Sequence, residues 1–264
     1  MIYHMRSPYT KAKVAYISVW ALVAILILFI WVRDKSSTPS SLISTLLALA
    51  IGFFTSRLLE NLISSTETTR NLGYLHMELD PEKFIASYSP VPQKTRKGKD
   101  RMISYAYLSS GYEAKGDFQK ALETLEKGEI GGSDSLDTLY LSSKCRYLLE
   151  GGKIEEAKAV LKALEERIEK IQDNEKLKDN QKQVAYILSE RIEVEEGGKG
   201  DEEYLEGRLK CSQYKIGRLE ILSAMALHYR NAGKRDKEKE MLNRIIKEGG
   251  KTWYTAWAEK RLKA

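Results

Sequence analysis

The sequence predicts an all-α protein: an N-terminal transmembrane helical hairpin followed by an α-solenoid of antiparallel helix pairs. Three observations point there. Residues 14–32 are apolar and carry no charge. After about residue 64 no segment alternates polar and apolar residues for long, and the apolar positions recur at the helical period. Glycines or glycine pairs (Gly116, Gly151-Gly152, Gly197-Gly198, Gly200, Gly233, Gly249-Gly250) punctuate that part, as left-handed helix ends require.

The first element is the run Val14–Val32. Its nineteen residues would rise roughly 28 Å as a helix, close to the thickness of a hydrocarbon core. A cleaved signal peptide has a shorter apolar region and ends on small residues. This run ends Phe29-Ile30-Trp31-Val32-Arg33-Asp34 instead. Tyr16, Trp20 and Trp31 stand near its ends, where amphipathic rings favour the headgroups.

The second apolar run, Leu42–Phe54, follows Pro39 and the Ser/Thr cluster 36–41. Alone it is too short to span, but with Arg57 snorkelling to the headgroups the stretch 41–59 can cross. It is apolar all round rather than striped, which favours a hairpin over an interfacial helix. Arg6, Lys11 and Lys13 precede the first helix, against Arg33 and Lys35 offset by Asp34 in the loop. The positive-inside rule then puts the N-terminus in the cytoplasm, and two spans return the remainder of the chain there. Residues 1–63 thus read as a membrane anchor, 64–100 as a connecting segment and 101–264 as the solenoid.

Charge excludes a nucleic-acid reading. Residues 1–63 hold six of the 43 basic and two of the 37 acidic residues, which leaves 37 against 35 for the rest. The pI near 9.0 is therefore mainly a property of the anchor. The one basic tract, Lys94–Arg101, reads as a solvated linker. Two cysteines, Cys145 and Cys211, are too few for a disulfide framework and are expected to pack as small apolar residues.

Within the connecting segment, Asp80-Pro81 marks a helix start. Further helices are predicted at about 101–114, 117–128, 135–150, 153–172, 180–196, 201–210, 216–231, 234–247 and 252–262. In the first pair Tyr105, Leu108, Tyr112, Gly116, Asp117, Phe118, Ala121 and Leu125 stand in a fixed order. The small Ala lets two helices approach while aromatics fill the gap, Gly116 ends the first helix and Asp117 caps the second. This order resembles the tetratricopeptide (TPR) repeat.

Leu141, Leu148, Gly152, Ile154, Ala157 and Leu161 fit the same places, with Lys144 and Cys145 departing from the pattern. Leu222, Met225, Ala226, Tyr229, Gly233, Leu242 and Ile245 fit again, with Glu238 in place of the close-packing Ala. Gly116 to Gly152 is 36 residues and Gly200 to Gly233 is 33. The 48 between Gly152 and Gly200 imply longer helices or an insertion around 173–180. Residues 252–262 read as a capping helix.

The chemistry of catalysis is missing. His4, His76 and His228 have no second ligand at helical spacing, Gly197–Asp201 lacks a phosphate-loop pattern, and His76-Met77-Glu78 reads as a polar helix face. No enzyme, metal, cofactor or small-molecule substrate is expected. The resemblance implies a concave groove lined by Tyr107, Ser110 and Glu113, then Ser142, Ser143 and Arg146, then Ser223, Arg230 and Asn231. It also implies a protein or peptide partner, another membrane protein included, docking there. The alternative is a single-span anchor with the solenoid outside the cytoplasm, acting in envelope assembly or as a holdase for exported chains.

Overall fold

The computed structural model describes residues 7–33, 39–95, 98–128 and 133–263, and every regular element among them is a helix. The loop at 34–38 and residues 96–97 of the basic tract lie outside the described residues. The described residues up to Arg70, with Lys94 and Thr95, form one compact unit; Asn71–Gln93 and the described residues from Gly98 onward form another.

The first unit contains α1 (Thr10–Arg33) and most of α2 (Pro39–His76). Both helices are long and apolar enough to cross a membrane. They run antiparallel: the Ser7 amide donates to Glu60 Oε1 at 2.8 Å, Val23 lies against Gly52, and Trp31 Nε1 donates to Thr45 Oγ1 at 3.2 Å. The seam on α2 is Ala48, Gly52, Ser56 and Glu60, one residue every four, facing Ala12, Tyr16 and Val23 of α1. Small residues at that spacing let backbones approach without a hydrophobic drive. A Cβ on Gly52 would fall 2.4 Å from Val23 Cγ2. The large apolar side chains of the remaining faces, Ile17, Leu22, Leu28, Leu46 and Phe54 among them, are exposed.

Two details differ from expectation. Helix α2 does not stop near residue 59 but runs 38 residues to His76. No proline interrupts it, and Ser64 and Thr66 bond back to the carbonyls of Glu60 and Leu62 rather than opening the chain. Arg57 does not simply reach outward. It donates to Glu60 Oε2 at 2.7 Å and lies over the rings of Tyr16 and Phe53.

In the second unit, Leu79 at φ 55° turns the chain out of α2, and Asp80 caps α3 (Pro81–Tyr88) by accepting from the Lys83 amide. Then follow α4 (Pro90–Lys94), α5 (Lys99–Lys115), α6 (Phe118–Leu125), α7 (Asp134–Glu150) and α8 (Ile154–Glu169). The series ends with α9 (Glu175–Glu195), α10 (Glu202–Cys211), α11 (Lys215–Asn231), α12 (Arg235–Glu248) and α13 (Trp253–Lys263). Segment 71–93 is packed rather than free: α3 lies on α5, where buried Phe84 fills the space that a side chain on Gly111 would need.

Neighbouring helices pair, α5 with α6, α7 with α8 and α11 with α12. At the first join Gly116 has φ 89°, and Asp117 accepts from the Lys120 amide. Ala121 is fully buried between the two helices. Successive odd-numbered helices also pack, α5 on α7, α7 on α9 and α9 on α11. The long spacing before Gly200 comes from α9 itself. It starts at Glu175, capped by Asn174, and runs 21 residues, so no insertion loop occurs at 175–180.

Helix α13 packs on α12 and α11 and also returns to α5. At the α5–α6 join Trp253 lies against Gly116 and meets Phe118, the first residue of α6, edge-on with centroids 5.2 Å apart. Cys145 is buried, with its thiol on the Ala157 carbonyl at 3.4 Å. Cys211 ends α10 in an exposed position and does not pack as expected.

Candidate functional site

The odd-numbered helices carry charges on otherwise apolar stripes. On α9, Arg191 follows Val184 and Leu188 at helical spacing; on α11, Glu220 stands among Leu219, Ile221 and Leu222. Burying such groups is tolerable only if each finds partners. Arg191 Nη1 donates to Glu220 Oε1 at 2.7 Å, and Nη2 donates to Glu150 Oε1 at 3.0 Å. The Tyr254 hydroxyl of α13 donates to the same Glu150 oxygen at 2.7 Å. Glu150 Oε2 is buried without a hydrogen-bond partner. One helix turn away, Arg146 pairs with Glu113, Nε to Oε1 at 2.5 Å and Nη2 to Oε2 at 3.1 Å.

Beside this network lies a cavity of about 180 Å³. Its walls include His76, Ser110, Glu113, Arg146, Tyr214, Glu220 and Tyr254, with Leu75, Ala114 and Ile216 as apolar patches. The His76 ring packs on Tyr214, centroids 5.2 Å apart, so His76 is part of this wall and not the solvated polar face expected. The volume accommodates one side chain or a chain end. A whole helix, about 10 Å across, is excluded.

Three carboxylates (Glu113, Glu150, Glu220) face two guanidiniums (Arg146, Arg191), one negative charge in excess. The electrostatics reflect that imbalance. Burial raises the Glu113 carboxyl well above the usual range; Arg146 opposes this, and Glu150 and Glu220 reinforce it. Burial lowers Arg191, but Glu220 and Glu150 outweigh it and keep the guanidinium charged. Burial and then Arg146 lower His76, which favours neutral imidazole. Burial and then Glu150 push the Tyr254 hydroxyl up, so it remains a donor.

Of the groove residues expected from sequence, the structure brings Ser110, Glu113 and Arg146 together at the cavity. Tyr107 packs edge-on against Tyr88. Ser142 and Ser223 turn their hydroxyls back to the carbonyls of Leu139 and Glu220, and Ser143 is buried. Arg230 is exposed. Asn231 bonds the carbonyls of Val194 and Gly198, holding the α9–α10 turn. Sequence reasoning missed Glu150, Arg191, Glu220, Tyr214 and Tyr254. The available signal was a charged residue inside an apolar helical stripe. His228 is buried and meets the Lys199 carbonyl and Glu202, a packing role.

Among the described residues no group of three or more His, Cys, Asp or Glu side chains is placed to hold a metal ion. No protein-family model, curated protein or solved structure matches the chain.

Proposed function

We propose that the chain is a membrane-anchored TPR-like scaffold that holds a protein partner near the bilayer by taking part of it into the inner-wall cavity. The observation that carries this reading is the cavity itself. It interrupts a well-packed helical unit and is walled by charged and aromatic groups, where apolar fill would have been more stabilising.

The repeat-like pairing of α5 with α6, and the odd-numbered helices packing one on the next, support a solenoid. Two crossings by α1 and α2 return the second unit to the N-terminal side, which the charge pattern makes cytoplasmic. The bonds of Ser7 to Glu60, Tyr9 to Thr68 and Lys11 to Glu67 support this, since they join the start of α1 to the far part of α2. Anchoring raises the local concentration of any partner that shares the membrane.

The test is copurification of the full chain from detergent-solubilised membranes. Ser110→Phe, which fills the cavity, should abolish a partner that Glu166→Phe on the outer helix α8 retains. Equal retention by both variants contradicts the reading.

A further inference from the structure

Resting on that reading, we infer that the inner-wall cavity receives a basic side chain of the partner, a guanidinium or ammonium held by Glu113 and Glu220. Every guanidinium of the cluster is already committed: Arg146 to Glu113, Arg191 to Glu150 and Glu220. An incoming carboxylate would have to displace one of these carboxylates. An incoming cation displaces none, and it cancels the one excess negative charge. On the side of Arg191 and Glu150, Glu195 and its neighbour Arg261 add one charge of each sign and leave the excess unchanged.

The walls suit a cation in a second way. Glu220 retains about a fifth of its side-chain exposure and lines the open space, whereas Glu150 is closed off behind Tyr254. Tyr214 and Tyr254 line the space as well, and aromatic rings attract a desolvated cation. His76, the remaining titratable group on the wall, tends to be neutral and does not compete. Without a ligand, a proton on Glu113 balances the cluster; an arriving basic group takes over that role.

The experiment uses the full chain in detergent micelles at neutral pH. The probes are the peptide acetyl-Gly-Ser-Arg-Ser-Gly-amide and its twin with neutral citrulline in place of arginine. Calorimetric titration should give saturable binding of the arginine peptide and binding about tenfold or more weaker for the citrulline peptide, the worth of one hydrogen bond to a charged group. Glu220→Gln leaves two carboxylates for two guanidiniums. It should stay folded with only a small drop in melting temperature, since the amide oxygen still accepts from Arg191, and lose the preference for arginine. Equal affinity for both peptides, binding of neither, or a preference that survives Glu220→Gln overturns the inference. If that happens while copurification still depends on Ser110, the scaffold reading stands and the basic ligand alone is rejected.

Discussion

Tyr254 donates its hydroxyl to Glu150 across 104 residues of sequence, at 2.7 Å. This bond joins the last helix to α7 beside the Arg191 cluster. Lys251 makes a parallel closure just before it, its amide donating to the Leu79 carbonyl at 3.0 Å and its ammonium to Asp80 at 2.6 Å. The C-terminal helix is therefore more than a cap on the last pair. It is a wall of the candidate site.

Arg191 is the keystone of the buried charges. Arg191→Met should cost about 3–5 kcal/mol, because Glu150 would be left buried beside a thioether. Glu220→Gln, which keeps an acceptor for Arg191, should cost far less. Urea denaturation of both variants in the same detergent checks the difference.

The pH dependence should carry two opposite contributions. The Glu113 carboxyl is raised in the folded state, so its stabilisation is complete below its unfolded value of about 4.3 and fades as pH rises through the raised value. Glu202 is held down to about 2 by bonds from Lys234, Lys237 and Tyr229. Its contribution is present above the unfolded value and is lost as pH falls toward 2. Melting temperature against pH should therefore fall less on the alkaline side for Glu113→Gln, and less on the acid side for Glu202→Gln, than for the parent chain.

In the hairpin, Ser64 Oγ and Ser7 Oγ are 2.6 Å apart. In a chain carrying Cys211→Ser, cysteines introduced at 7 and 64 should oxidise readily to a disulfide in native membranes. Gly52→Leu, which drives a side chain into Val23, should slow that reaction several-fold. Fast oxidation in both chains would show that the Val23–Gly52 contact does not set the pairing.

Thiol labelling reports the side of the membrane. Cys211 is exposed; burial pushes the Cys145 thiol up to about 11 and hides it. A membrane-impermeant maleimide should label Cys211 only after permeabilisation, and Cys145 only after unfolding. Labelling of Cys211 in intact cells would favour the single-span alternative.

Much of this helical architecture was legible because each cue was local. Asp80 and Asp117 cap, Gly116 reverses the chain, and Ala121 lets two helices meet; each acts within a few residues of itself. What escaped was non-local. Arg191 reads as one more solvated charge until α7, α11 and α13 are brought around it. Of the polar face assigned to His76-Met77-Glu78, Met77 and Glu78 are exposed, but His76 is wall because Tyr214, far along the chain, covers its ring. The length of α2 was hidden differently. Its polar second half has no breaker, but nothing in its composition says that the helix persists beyond its apolar half.

A photo-crosslinking amino acid at position 110, in the full chain expressed in its own membranes, tests the central claim most directly. Irradiation should join the cavity wall to a discrete partner. The same group at position 166 on α8 should not, and excess arginine peptide should suppress the product at 110. Crosslinking from 166 but not from 110 would place the partner on the outer surface and contradict the account.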